Sequence, residues 1–453
     1  MKILSKYRST TLIIIIISNY LSAQEHLSFS DAQNLMLTKN KEVFIENKKV
    51  EMEEKHEKIA RSYRFPHFSA FGIATVMDKD ITMDLNGTKN KVATLLELPD
   101  PSVLGDWNFT IQKKDMEFAG VSMTWPIFTG GKINAANKAA KINSEISKNE
   151  QFSSEQSLIS ELANRYYKAK LAEEAVKVRQ QVYDGMNKHL YNSQKLEENG
   201  IIAGVESLQA KVAVSDAERQ LLAAKKDFEL AQIALANTLE VEDATFQLVS
   251  PFFVDKELES LSYYQNQASA NYPQIQKLKL LEQLTEESIK AEKSSYLPNI
   301  ALTGQKIFAS NNFPLVKTPL IVGAALNYDL FDGFARKNKI AVAKTQKEIV
   351  VLTREKAEAD IKTYITKFYN ELKKYEEQIN SLDVTKSLAE ELVRVRTKSF
   401  SEGMTSSIDV IDAELNLYSV KLQMLKAYCD YDTTLAQLFE LCGISNNFSS
   451  KTN

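Results

Sequence analysis

The chain has 453 residues, of which only 14 are Gly and 9 are Pro; together the two breakers make about 5%, against about 12% in average proteins. Turn-rich folds consume both residue types, so collagen, disordered chains and small-strand sandwiches are poor fits. The formal net charge is −3, from 56 Lys and Arg against 59 Asp and Glu spread along the whole chain, and no basic patch marks a nucleic-acid partner. Four His and two Cys leave little material for a metal site.

The first residues read as an address. Lys2, Lys6 and Arg8 precede the apolar run Leu12 to Ile17, and Leu21-Ser22-Ala23 leads to Gln24. This is the layout of a secretory signal peptide over residues 1–23, since the apolar run is far shorter than the roughly 20 residues of a membrane-spanning helix. A helical stretch over about 41–64 then runs into Phe65-Pro66, where the Pro fits the start of a strand. Extended segments are expected at about 66–77 and 117–128. Between them lies an insertion, around Asp78 to Asp115, that reads as a variable surface loop.

From about Lys132 to Glu198 there is no Pro and a single Gly, Gly185. A helix of that length would run about 100 Å. It ends at Gly200, and a second helix follows. The same order then returns: a helical stretch over 272–295, extended segments at 298–309 and 319–331, and an uninterrupted helix from Arg336 to Ser401 that ends at Gly403. In that helix Ala357, Ile361, Tyr364, Phe368, Leu372, Tyr375, Ile379 and Leu382 form a coiled-coil-like stripe. Ser406 or Ser407 can cap the last helix, which carries Ile408, Ile411, Leu415, Tyr418 and Leu422 at spacings of 3 and 4. Cys429 and Cys442 lie 13 residues apart on it, too far to bridge, and read as buried apolar residues.

The recurrence is a tandem duplication. An offset of 203 pairs Trp125 with Tyr328, Phe128 with Phe331, Gly130 with Gly333, Tyr166 with Tyr369 and Gly200 with Gly403. Residues 24–250 are thus a first repeat, 251–443 a second, and 444–453 a flexible tail. At 10 to 13 residues the extended segments have the length that crosses a bilayer with tilt, and Trp125, Phe128, Tyr328 and Phe331 stand where an interfacial aromatic girdle would sit. Two ordinary hairpins packed on helices are the alternative. Four strands are too few for a single-chain barrel, so closure in a membrane requires several chains. The helical hairpins, striped on both legs, likewise need neighbours.

The order of short motifs resembles the outer membrane efflux proteins of the TolC type. The carrying residues are Leu27-Ser28-Phe29-Ser30-Asp31-Ala32, Pro126-Ile127-Phe128-Thr129-Gly130-Gly131 with its copy Leu330-Phe331-Asp332-Gly333, Leu297-Pro298-Asn299, and Ile408-Asp409-Val410-Ile411-Asp412-Ala413. The resemblance covers about residues 27–443. It implies a mainly α fold with a small membrane β part: a homotrimer with one outer-membrane barrel of four strands per chain, continued into the periplasm by a long α-helical barrel. It implies a passive exit duct, with no catalysis or cofactor, that meets a periplasmic adaptor and an inner-membrane pump of the RND, ABC or MFS type. Asp409 and Asp412 would form the narrow, cation-binding end of the tunnel; Glu206 is the one carboxylate repeated in the first half. Acidic residues in a helix's first turns are also favoured by the dipole alone. Relatives that lock the tunnel with Tyr and Arg would place them at Phe400 and Thr405, so the closed state here is expected to be held differently or less tightly. Gly200, Gly204, Gly403 and Ser407, at the hairpin tips, are the expected adaptor contacts. A periplasmic adaptor is the alternative function, although two hairpins in tandem fit it poorly. An enzyme lacks its parts, because His26, His56, His67 and His189 have no ligand-like spacing and read as surface or packing residues.

Overall fold

The computed structural model describes residues 25–242, 245–311 and 320–452. The signal-peptide reading over 1–23 lies outside them. Compact units do not follow the duplication. Of the described residues, 25–41, those within 155–264, and 364–452 form one unit, and 42–154 with those within 265–363 form the other, so each unit gathers corresponding parts of both repeats.

The first unit begins with β1 (Glu25–Leu27), which pairs in parallel with the short β6 (Phe246–Leu248). Ser28 follows and caps α1 (Phe29–Lys39), accepting the Asp31 N–H. The cap aims Phe29 into an aromatic cluster, where its ring lies 5.7 Å from Tyr166 and 5.0 Å from Phe448. The Tyr166 hydroxyl donates to the Leu27 carbonyl at 2.7 Å and accepts the Ser250 N–H at 3.0 Å, fixing both chain entries to the core. Phe448 belongs to α10 (Phe448–Lys451) and is fully buried. Ser445 just before it is tied to Gln156 through both its N–H and its hydroxyl. The segment from 444 onward was expected to be a flexible tail; residues 445–451 are instead a packed element, held by the burial of one large ring. Cys429 and Cys442 are free and buried, and burial raises each thiol to about 12.

The second unit holds α2 (Lys41–Ser62), α7 (Pro273–Ser294) and a four-stranded antiparallel sheet in the order β2 (His67–Val76), β5 (Asp115–Phe128), β7 (Asn299–Asn311), β8 (Ile321–Asn327). The two hairpins pair across the repeat boundary through β5 and β7. Both outer strands, β2 and β8, are exposed along almost their whole length, and their outer edges are unpaired among the described residues. The last strand was expected to reach 331 but ends at Asn327. There Asp332 accepts the Arg336 N–H at 2.9 Å and binds its guanidinium at 3.0 Å, starting the next helix. Trp125 and Phe128 therefore lie on a strand, while Tyr328 and Phe331 lie in the connection after one; all four are exposed. The insertion is not a bare loop either. It forms β3 (Ile81–Asp84) paired with β4 (Asn108–Gln112), with α3 (Asn86–Leu95) between them. Asn86 braces it by donating to Asp106 and accepting the Trp107 N–H.

The long helices are α4 (Lys132–Glu198) and α8 (Ala335–Ser401), 67 residues each, followed by α5 (Gly204–Leu239) and α9 (Ser407–Leu441). Together with α6 (Leu261–Asn271), these complete the α-helices among the described residues. No described helix is long and apolar enough to cross a membrane. Gly185, the lone Gly of α4, marks a close crossing: a Cβ there would meet the Glu414 carboxylate at 2.9 Å and the Tyr418 hydroxyl at 3.3 Å. Just beside it Val182, Met186, Ala217 and Ile411 bury against one another and join α4, α5 and α9.

Candidate functional site at the helical tips

Both long helices end in the same way. Gly200 at φ +69° and Gly403 at φ +70° take the left-handed conformation. In each turn the next residue's N–H reaches back five residues, Ile201 to Leu196 and Met404 to Ser399, both within 2.9 Å. This is the Schellman arrangement, which satisfies the last carbonyls and reverses the chain. The two tips meet where Ile201 lies over Gly403.

After the second turn Ser406 is extended and α9 begins. The Asp409 carboxylate turns back over this start. It accepts the Ser406 hydroxyl at 2.6 Å, the Ser406 N–H at 3.1 Å and the Thr405 hydroxyl at 2.7 Å. Arg396 on α8 stands 3.6 Å from the carboxylate and donates to the Thr405 hydroxyl at 3.3 Å. The Ser406 hydroxyl first, then Thr405 and the Ser406 backbone, with Arg396 adding least, hold Asp409 down at about 2. Asp412, one turn further on, is exposed.

Ser407 is completely buried. Its N–H donates to Glu206 Oε2 of α5 at 2.7 Å, so a carboxylate from the other repeat caps α9. Its hydroxyl lies 2.6 Å from His189 Nε2 of α4. The His189 ring in turn lies 4.8 Å from that of Phe400 on α8. Burial pushes His189 below the ordinary imidazole value, partly opposed by the Glu206 charge. One buried junction thus joins all four tip helices.

The predicted site residues fall into three groups. Asp409, Thr405, Glu206, Ser407 and Phe400 are drawn into these two networks. Asp412 stays outside them; Gly200 and Gly403 are exposed turn residues, and Gly204 is the exposed first residue of α5. Ser407 does not belong among the surface contacts expected of the tips, because it is buried under His189 and Glu206. Phe400 is also buried and serves as the floor of the junction. The cation beside Asp409 and Thr405 is Arg396. Two contributors were overlooked. Arg396 was detectable, since residues at similar distances before and after a tip turn can face each other across it, and Arg396 precedes the Gly403 turn on α8 as Asp409 follows it on α9. His189 was not, because its partners Ser407 and Phe400 sit in the other repeat. Among the described residues no cluster of His, Cys, Asp and Glu could hold a metal ion.

The chain thus combines an open four-stranded sheet with two long helical hairpins. The family model for outer membrane efflux protein matches residues 100–239 and 265–444, and the chain belongs to that family. The alkaline protease secretion protein AprF of Pseudomonas aeruginosa is 22% identical over 344 residues, 73% of this chain and 70% of AprF. Among solved structures, the outer membrane protein VceC from Vibrio cholerae gives a TM-score of 0.72 at 14% identity, over 92% of this chain and 96% of VceC. The open state of the Neisseria gonorrhoeae MtrE outer membrane channel gives 0.71 at 18% identity, over 92% and 89%. Membership in a channel family also displaces the adaptor alternative.

Proposed function

We propose that the chain is the outer-membrane exit duct of a tripartite efflux or type I secretion system. It works as a homotrimer that passively conducts substrates delivered by a periplasmic adaptor and an inner-membrane pump of the RND, ABC or MFS type. The observation that carries this reading is the four-stranded sheet with exposed faces and two open edges. Such edges are tolerated in hydrocarbon only when other strands close them, and three copies would close a twelve-stranded barrel. The helices support the same reading. Val205, Leu208 and Val212 on α5, and Val384, Leu388, Leu392 and Val395 on α8, are exposed at coiled-coil spacing and need covering by another copy.

In this reading Asp409, Asp412 and Glu206 line the periplasmic constriction, and the exposed Gly200, Gly204 and Gly403 at the tips face the adaptor. Asp412, exposed and outside the cap network, is the carboxylate free to meet a cation. Planar-bilayer recording tests the duct: the purified protein should form discrete conducting channels that multivalent cations block from one side. Asp409→Ala with Asp412→Ala should weaken that block. An equal block in the double variant would remove the constriction assignment, and a protein that never conducts would remove the duct.

A further inference from the structure

A groove of about 500 Å³ opens where the sheet meets the helices, at the end of β5 and the start of α4. Trp125, Phe128 and Leu297 give it apolar walls, and Arg64, Thr129 and Asn134 line it with polar groups; no carboxylate does. The backbone holds Arg64 in place, because its carbonyl accepts the Trp125 indole N–H at 2.9 Å. Arg64 is exposed, and its guanidinium donates to Asn134 Oδ1 at 3.2 Å. Arg61, nearby on α2, is paired with Glu57, whereas Arg64 forms no ion pair among the described residues.

The second repeat differs here by one charge. At its own strand-to-helix junction the Arg336 guanidinium lies 5.0 Å from the centre of the Tyr296 ring, donates to the Ser295 carbonyl at 3.1 Å and binds the Asp332 carboxylate at 3.0 Å. The duplication matches Asp332 to Thr129 at the offset of 203, and Tyr296 to Arg64 at the offset of 232 that matches Pro298 to Pro66. Each repeat thus places one guanidinium at this junction, but only the second supplies a carboxylate to meet it. Thr129 keeps the capping role of Asp332, accepting the Ile133 N–H at 3.3 Å, without the charge. A guanidinium without a carboxylate, beside apolar walls and in a groove of ligand size, fits an external oxyanion that carries an apolar body.

We infer that this groove binds the phosphodiester of a phospholipid headgroup, with Arg64 on the phosphate oxygens and the glycerol backbone against Trp125 and Phe128. The inference rests on the sheet crossing the outer membrane, as the duct reading has it. β5 ends at Phe128, just before α4 begins, and the exposed Trp125 and Phe128 mark the depth at which headgroups lie. The phosphate takes the part in the first repeat that Asp332 takes in the second.

Trp125 reports binding directly. In the full-length protein in detergent, with Trp107→Phe leaving Trp125 as the one tryptophan, short-chain phosphatidylglycerol should change its emission saturably. The diacylglycerol of the same chains, which lacks the phosphate, should bind about tenfold more weakly, and inorganic phosphate should not compete at matched concentration. Arg64→Gln should weaken phosphatidylglycerol by about tenfold, and Arg61→Gln should leave it unchanged. Thr129→Asp, which keeps the cap and builds in the carboxylate of the second repeat, should weaken it as much in a protein that still folds. Equal binding of the diacylglycerol, or unchanged binding in either Arg64→Gln or Thr129→Asp, overturns the site. Competition by inorganic phosphate overturns the lipid as its occupant. Bilayer conductance of the same preparations keeps the two readings apart: a conducting protein without phosphate-dependent binding loses the lipid site alone, and a lipid-binding protein that never conducts loses the duct alone.

Discussion

Asp409 caps the start of α9 with one carboxylate, and pH tests that cap. Its folded pKa lies near 2, below the ordinary carboxylate value, so the ionised form stabilises the tip wherever the unfolded chain would also be ionised. That stabilisation is fully present above the ordinary carboxylate range and is lost as pH falls toward about 2. Asp409→Asn should therefore melt earlier than the parent at neutral pH, and the difference should shrink to nothing on acidification through that window. A constant difference across the window would mean the cap acts by shape and not by charge. At the junction, Ser407→Ala leaves the buried His189 Nε2 without its partner, which costs about 1–3 kcal/mol. If the junction holds the tips closed, resting conductance should rise in that variant; Ser407→Thr, which keeps the hydroxyl, should restore the parent level.

The helices show how far a sequence read alone can reach. α4 spans Lys132–Glu198 as expected, and α8 starts one residue before its predicted Arg336, because an unbroken run without Pro leaves little room for another conformation. The tip turns were equally legible, since Gly marks the left-handed residue. Replacing Gly403 by Ala forces a Cβ into φ +70° and should lower stability by about 1–2 kcal/mol, measured as a shift in the denaturant midpoint. What stayed hidden depends on distant partners. The last residues are rich in Ser and Asn and look loose, yet Phe448 inserts into a core built from α1 and α4. The insertion's strands of four and five residues are too short to display alternation. The junction needs both repeats before it exists, and only the acidic cap, whose members are neighbours across one turn, was foreshadowed by Asp409.

At the scale of the molecule, exposure is the main finding. The outer strands and the stripes on α5 and α8 present apolar side chains that a lone protomer leaves to solvent. Three protomers in one ring would cover them. Crosslinking of the detergent-solubilised protein should yield a ladder that stops at three chains. Arg substituted at both Val205 and Val212 should collapse the ladder toward monomers, because charges on the stripe cannot be buried cheaply. A ladder of any other length would require a different barrel.

The buried junction takes His189 and Glu206 from the first repeat and Phe400 and Ser407 from the second. A half-length chain carrying a single repeat could build such a junction only by meeting a second chain. Duplication joins the two halves covalently, so their encounter no longer depends on protein concentration and is governed by the effective concentration within one chain. The two halves were then free to diverge, and they have: the positions equivalent to His189 and Phe400 are Leu392 and Glu197. Each hairpin tip thereby gained a distinct identity that identical subunits could not have given it.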